Sequence, residues 1–192
     1  MAANLLNRNF TPSAPNQTWT STSPTLWTDE DWLYLAIVLD LFNREVVGWS
    51  LKPCMTADIV TDALTRAWFR RKPAGGLRHH SGRGRPYARH AVQNELTAYG
   101  MGCSKGRNGN YGDRAPIESG CSSVKHERVH KRRDATRAAM TAGRVEYMEV
   151  CDNRIRRLST RSDTSPRQVL QEWRLAQHEE HRVAGTPTRW KT

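Results

Sequence analysis

The chain has 192 residues, with 30 lysines and arginines against 19 aspartates and glutamates, a formal net charge of +11. That length allows one moderate core and its flanking segments, and the basic balance favours a polyanionic partner, nucleic acid ahead of an anionic membrane surface. The longest apolar run, Leu33 to Leu39, is too short to span a bilayer, so no membrane association and a cytoplasmic protein are expected. Cys54, Cys103, Cys121 and Cys151 are widely spaced, which excludes a zinc ribbon and a dense disulfide framework. The charge is uneven. Residues 1–50 hold two basic and five acidic side chains, and the remaining 142 hold 28 basic and 14 acidic. The first part reads as core and the rest as electropositive surface.

Residues 1–16 read as an N-terminal loop, leading into a short strand near Gln17 to Thr22. WLYLAIVLD (Trp32 to Asp40) is almost wholly apolar, as a buried central strand is. A turn at Phe42-Asn43-Arg44 and a return strand, Glu45 to Leu51, complete a hairpin. Thr56 predicts the N-cap of a helix whose apolar positions run from Ile59 to Trp68, ended by Gly75-Gly76. Leu77 to Ser81 is a short strand. Val92, Leu96 and Tyr99 mark a second helix, stopped by Gly100. Pro116 suits the first position of a helix carrying Ile117, Cys121 and Val124 inward. A helix over about Thr136 to Asn153 is expected to bury Ala138, Ala142, Val145 and Met148. Ser165-Pro166 opens a last short helix with Val169, Leu170 and Trp173 on one side, and residues 182–192 read as a disordered tail. The order is mixed α/β, a hairpin-built sheet extended by βα units.

Four blocks carry a resemblance: DEDWLYLAIVLDLFNREVVGWSLKPCMTADIVTDAL, HHSGRGRPYARHAVQNELTAYGM, GDRAPIESGCSSVKHERVH and NRIRRLSTRSDTSP. In this order and spacing they resemble the integrase core of bacterial insertion-sequence transposases, of the retroviral-integrase-like DDE class. The resemblance runs from about Phe10 to Val169. It implies a ribonuclease-H-like α/β fold, a mixed sheet with helices on both faces, over residues 17–153. Residues 154–181 would be the family's C-terminal basic segment and short helix. It also implies DNA strand cleavage and transfer at a site where three carboxylates hold two Mg²⁺ (or Mn²⁺) ions. A hard divalent cation takes oxygen ligands, and two such ions flank the phosphodiester during displacement.

Carried over residue by residue, the first aspartate position of the triad falls on Thr22, in TWTSTSPTLWT. The second falls on Gly82, in HSGRGRPY. The third, a glutamate, is retained as Glu118 in DRAPIE. Threonine is a weak neutral ligand and glycine supplies no side chain. Asp40, at the end of the central strand, is expected to lie beside the site. The family reading therefore gives a protein of the DNA-transposition class that does not cut DNA, with Glu118 alone at the metal position. The alternative is a non-catalytic protein that binds DNA or inhibits a transposase.

His126-Glu127-Arg128-Val129-His130 matches the HExxH zinc signature, but its flanks are polar and basic and no third ligand follows at a suitable spacing, so an exposed basic helix is the better reading. Two basic clusters, Lys125, Arg128, Lys131, Arg132 and Arg133, then Arg154, Arg156 and Arg157, are the candidate phosphate contacts. The expected partner is DNA, bound weakly and without sequence preference, with a full-length transposase or a second copy of the chain as further partners.

Overall fold

The computed structural model describes residues 11–81, 85–105, 134–157 and 163–184. Its strands are β1 (Thr18–Thr22), β2 (Thr25–Trp27), β3 (Trp32–Asp40), β4 (Val46–Lys52), β5 (Arg78–Ser81) and β6 (Gly102–Lys105). The helices are α1 (Ala57–Arg71), α2 (Arg85–Ala88), α3 (His90–Ala98), α4 (Arg137–Glu146) and α5 (Pro166–Ala184), and a π-helical segment, Tyr147–Ile155, continues α4.

β1 and β2 act as one interrupted strand. Thr22 pairs with Ile37 and Thr25 with Tyr34, which is a single unbroken antiparallel register across Ser23-Pro24. β4 lies on the other side of β3, and β5 and then β6 extend the sheet in parallel from β1. β3 is central, so its side chains are buried on both faces, as its near-continuous apolar run requires.

Alternation along the strands separates two cores. Trp19, Ala36, Val38 and Val47 face α1 and α3, where Ile59, Leu64, Val92 and Leu96 complete the layer. Leu33, Leu35, Ile37, Leu39 and Val46 face Met140, Tyr147 and Met148 on the other side. The expected mixed sheet with helices on both faces is therefore present.

Three local readings need correction. Helix α1 stops at Arg71, well before Gly75-Gly76. Lys72 takes the left-handed conformation, with φ 44, and closes the helix onto the Trp68 carbonyl. Pro73 follows it, and a proline disfavours the α conformation in the residue before it. Thr56 sits at the N-cap, but its side chain makes no capping bond. In α4 the buried residues are Met140 and Arg144, whereas Ala138 and Ala142 are exposed and Val145 is only half-buried. The true inward stripe includes an arginine, whose Nε meets the Met140 sulfur at 3.3 Å. An apolar count skips that position although an arginine stem packs well. Helix α5 is 19 residues long and runs to Ala184, past the point where order was expected to end.

Gly48 shows how closely β4 and α1 approach. A Cβ there would stand 2.2 Å from the Ala63 carbonyl oxygen and 2.8 Å from the Ala67 Cβ. The facing helix offers only alanines, and its backbone cannot retreat without lifting off the sheet. Gly48→Ala is expected to cost about 3 kcal/mol, the upper end for overpacking. For a domain of this size that is roughly a 6–12 °C fall in Tm. Thermal unfolding of the two proteins measures it.

Candidate metal and DNA site

β1, β5 and β6 are parallel, so their C-terminal ends open on one edge of the sheet. β1 is also where the order reverses, with parallel β5 on one side and antiparallel β3 on the other. The crevice beyond such a reversal is where open α/β sheets place their ligands. Thr22 ends β1 at this edge. Ser81 ends β5 and pairs with Ser21, so β5 finishes within one residue of the level of Thr22. Gly82, the next residue in sequence, lies outside the described residues, as do Glu118, Lys125, Arg128, Lys131, Arg132, Arg133 and the His126–His130 motif.

Three side-chain bonds hold this edge together. Ser21 Oγ and His79 Nε2 are 2.8 Å apart across β1 and β5. Ser23 Oγ and Tyr87 Oη are 2.7 Å apart, tying α2 over the β1–β2 junction. His80 Nδ1 and Ser104 Oγ, at 3.0 Å, join β5 to β6. These partners were not foreseen as a set. The only signal for them is the position of His79, His80 and Tyr87 around the second triad block.

His79 is fully buried. Burial, and secondarily the neighbouring His80, lowers its pKa from 6.5 to about 3. Above pH 6.5 the ring is neutral in the folded and unfolded chains alike, and it adds no pH dependence. Between pH 6.5 and about 3 only the unfolded chain takes up the proton. Stability therefore falls as the pH drops, by about 1.4 kcal/mol per pH unit from this group. Between pH 7 and pH 5 the loss should be about 2 kcal/mol, and His79→Gln, which keeps an amide for Ser21, should remove it. Urea unfolding of both proteins at the two pH values reads the difference.

The described donor set at this edge does not fit Mg²⁺. Around Thr22 the described side chains are hydroxyls (Ser21, Ser23 and Ser81) and two buried imidazoles. Among the described residues no group of three or more His, Cys, Asp or Glu side chains is placed to hold a metal ion. A neutral hydroxyl and an imidazole are poor partners for a cation that binds through carboxylate and water oxygens.

Asp40 does not make up the deficit. It pairs with Trp19, whereas Thr22 pairs with Ile37, so it lies about 10 Å along the strand from Thr22, at the opposite end of the sheet. Its placement beside the site was wrong because an antiparallel partner runs away from the edge on which β1 ends. Asp40 is a turn residue. It accepts hydrogen bonds from the Asn16 and Phe42 backbone N–H groups at 2.9 and 3.0 Å. Burial raises its pKa, and those two bonds limit the rise.

Arg154, Arg156 and Arg157 also lie towards the far end. Next to them Asn153 grips the edge strand β4, accepting from the Val46 N–H at 2.8 Å and donating to the Val46 carbonyl at 3.1 Å. Arg156 pairs with Asp152 at 3.0 Å, and Arg154 and Arg157 are exposed. The structure thus gathers these arginines away from the Thr22 edge.

The family model described as integrase core domain matches residues 12–110. The chain belongs to that family. Among curated proteins it is 39% identical over 168 residues to the transposase InsF for insertion sequence IS3A of Escherichia coli K12, covering 88% of this chain and 58% of that protein. The chain therefore spans a little over half the length of the curated relatives it matches. Among solved structures it resembles the integrase catalytic core domain of HTLV-2 in complex with magnesium, with a TM-score of 0.63 at 14% identity, covering 82% of this chain and 97% of that one. It also resembles the catalytic domain of Mos1 mariner transposase, with a TM-score of 0.58 at 14% identity over 70% of this chain and 71% of that one. These likenesses show the ribonuclease-H-like fold. No described helix is long and apolar enough to cross a membrane.

Proposed function

We propose that this integrase-core protein acts on DNA in the transposition class by descent, contacting the DNA backbone without cutting it. The single observation that carries this reading is the contrast at the Thr22 edge. The strands, the reversal point and the bonds from Ser21, Ser23 and His80 are in place, while Thr22 offers a neutral hydroxyl where the resembling family has a carboxylate. Gly82 removes the second carboxylate, and Glu118 would be left to face two divalent ions with one negative charge. Mg²⁺ or Mn²⁺ would be the family's cofactor, and this donor set is too poor in charge to hold it.

The excess of cations beyond residue 50 supports backbone contact, which needs charge and no base reading. A protein of this kind would act by occupancy, covering DNA or competing with a full-length transposase. The purified chain with supercoiled plasmid tests the reading. At low salt the expected result is a mobility shift with no nicking in Mg²⁺ or Mn²⁺. Nicking that depends on the metal would overturn it.

A further inference from the structure

A second feature lies at the end of the sheet opposite Thr22. The C-terminal end of α1, the π-helical segment and α5 enclose a cleft of about 480 Å³. Arg70, Arg71, Arg154, Arg167 and Arg174 line it, with Glu45 and Glu149 as the only carboxylates. Both carboxylates are already engaged. Glu45 is paired with Arg71. Glu149 accepts both Arg70 terminal nitrogens, at 2.6 and 3.0 Å, and the Trp49 indole N–H at 3.2 Å. Burial would raise the Glu149 pKa, but the Arg70 and Trp49 bonds outweigh it and hold the carboxyl below its usual range.

Arg154, Arg167 and Arg174 form no ion pair among the described residues. Although Arg154 acts at a distance on the Glu149 carboxylate, these three guanidiniums share one concave surface, where the field is focused rather than spread.

From this arrangement we infer a DNA-backbone site, remote from the Thr22 edge, in which Arg154, Arg167 and Arg174 contact phosphate oxygens. The inference rests on the DNA-contact reading above and assigns it a surface. Spacing favours a polymer over a single small anion. Arg167 and Arg174 are seven residues apart on one helix, about 10 Å along its axis, a spacing that lets each meet a separate phosphate of one backbone. They stand two turns apart on one side of α5, as a phosphate-tracking strip requires. Asn43 fixes that helix to the sheet, donating through Nδ2 to the Pro166 carbonyl at 2.9 Å, and Trp173 packs on Phe42 with ring centroids 6.0 Å apart.

The test measures duplex DNA binding by the full chain against salt concentration. It compares the chain with Arg167→Ala/Arg174→Ala and with Lys52→Ala/Arg89→Ala, which removes equal charge from positions outside the cleft. Each lost phosphate contact should reduce the slope of log K against log salt by about 0.9, and weaken binding about eightfold at 0.1 M relative to 1 M salt. The cleft variant should therefore lose a slope of about 1.8 and bind roughly sixtyfold more weakly at 0.1 M salt. The control should stay close to the unsubstituted chain. Both cleft positions are exposed helix sites where alanine is tolerated.

If the chain binds DNA and the cleft variant keeps the full slope, the cleft assignment fails and the DNA reading stands. An equal loss in the control means bulk charge and also overturns the cleft. If the unsubstituted chain binds no DNA at low salt, both readings fall. Saturable protection of the chain, but not of the cleft variant, by inorganic phosphate at matched ionic strength would make this a small-anion site and overturn the DNA proposal.

Discussion

Thr22→Asp/Gly82→Asp is expected to convert a chain that leaves supercoiled plasmid intact into one that nicks it in Mg²⁺ or Mn²⁺. β1 and β5 are adjacent parallel strands in register up to Ser21 and Ser81, about 4.8 Å apart. A carboxylate at Thr22 stands on a strand held by its β3 and β5 neighbours, and one at Gly82 follows a residue whose strand is fixed by the His79 and His80 bonds. A group on a rigid strand, as at Thr22, meets the tolerance that metal-site geometry demands more readily than one on a loop. With Glu118 as the third carboxylate, the charge of two divalent ions would be balanced. Removing one group that stabilises transition-state charge costs about 10²–10³ in rate, so the paired variant should exceed the unsubstituted chain by at least about a hundredfold. Each single substitution should remain inactive, because two carboxylates still leave the metal pair under-neutralised. A folded paired variant with no activity above the unsubstituted chain would contradict the residue mapping.

The second large effect is on stability. Glu45→Ala is expected to lower it by about 3–5 kcal/mol, the cost of stranding one member of a buried ion pair. Glu45 is 6% exposed. It pairs with Arg71, lies 3.7 Å from Arg70 and accepts from Asn43 at 2.9 Å. The Arg71 side chain is as deeply buried, at 6% exposure, and its Nε already has no partner. Removing the carboxylate leaves a guanidinium with little water and only the more distant Asp40 carboxylate as counter-charge. Asn43 would lose one of the two acceptors through which it joins the hairpin turn to α5. Thermal unfolding should show a fall of roughly 10 °C or more. A change of about 2 °C or less would mean that water replaces the carboxylate and that this end of the sheet is looser than its burial implies.

The central hairpin was legible because its signals are local. The apolar run Leu33 to Leu39 has the length and β-branched content of a strand buried on both faces, and the turn at Asn43-Arg44 follows it closely. Arg44 at φ 60 shows how tight that turn is. The start of α4 was legible too, since the Thr136 side chain accepts from the Ala139 N–H. What failed depended on partners distant in sequence. Arg144 is buried because a sheet face lies opposite it, and no helical period reports that. Asp40 was misplaced because strand direction, and not proximity in sequence, decides which end of a sheet a residue reaches. The arginine cleft combines α1, the π-helical segment and α5, brought together only by folding. At the Thr22 edge, the motif blocks gave the expected triad positions, and the hydroxyl and imidazole bonds beside Thr22 became visible only once the strands were in register.

Calorimetric titration of the chain with Mn²⁺ asks directly, and without requiring catalysis, whether the Thr22 edge holds a divalent ion. Beside it, Thr22→Asp/Gly82→Asp serves as the positive comparison. The expected result is no saturable Mn²⁺ binding by the unsubstituted chain below the millimolar range and clear saturation by the paired variant. Stoichiometric binding by the unsubstituted chain, abolished by Glu118→Gln, would show that a working metal site survives and would contradict the reading.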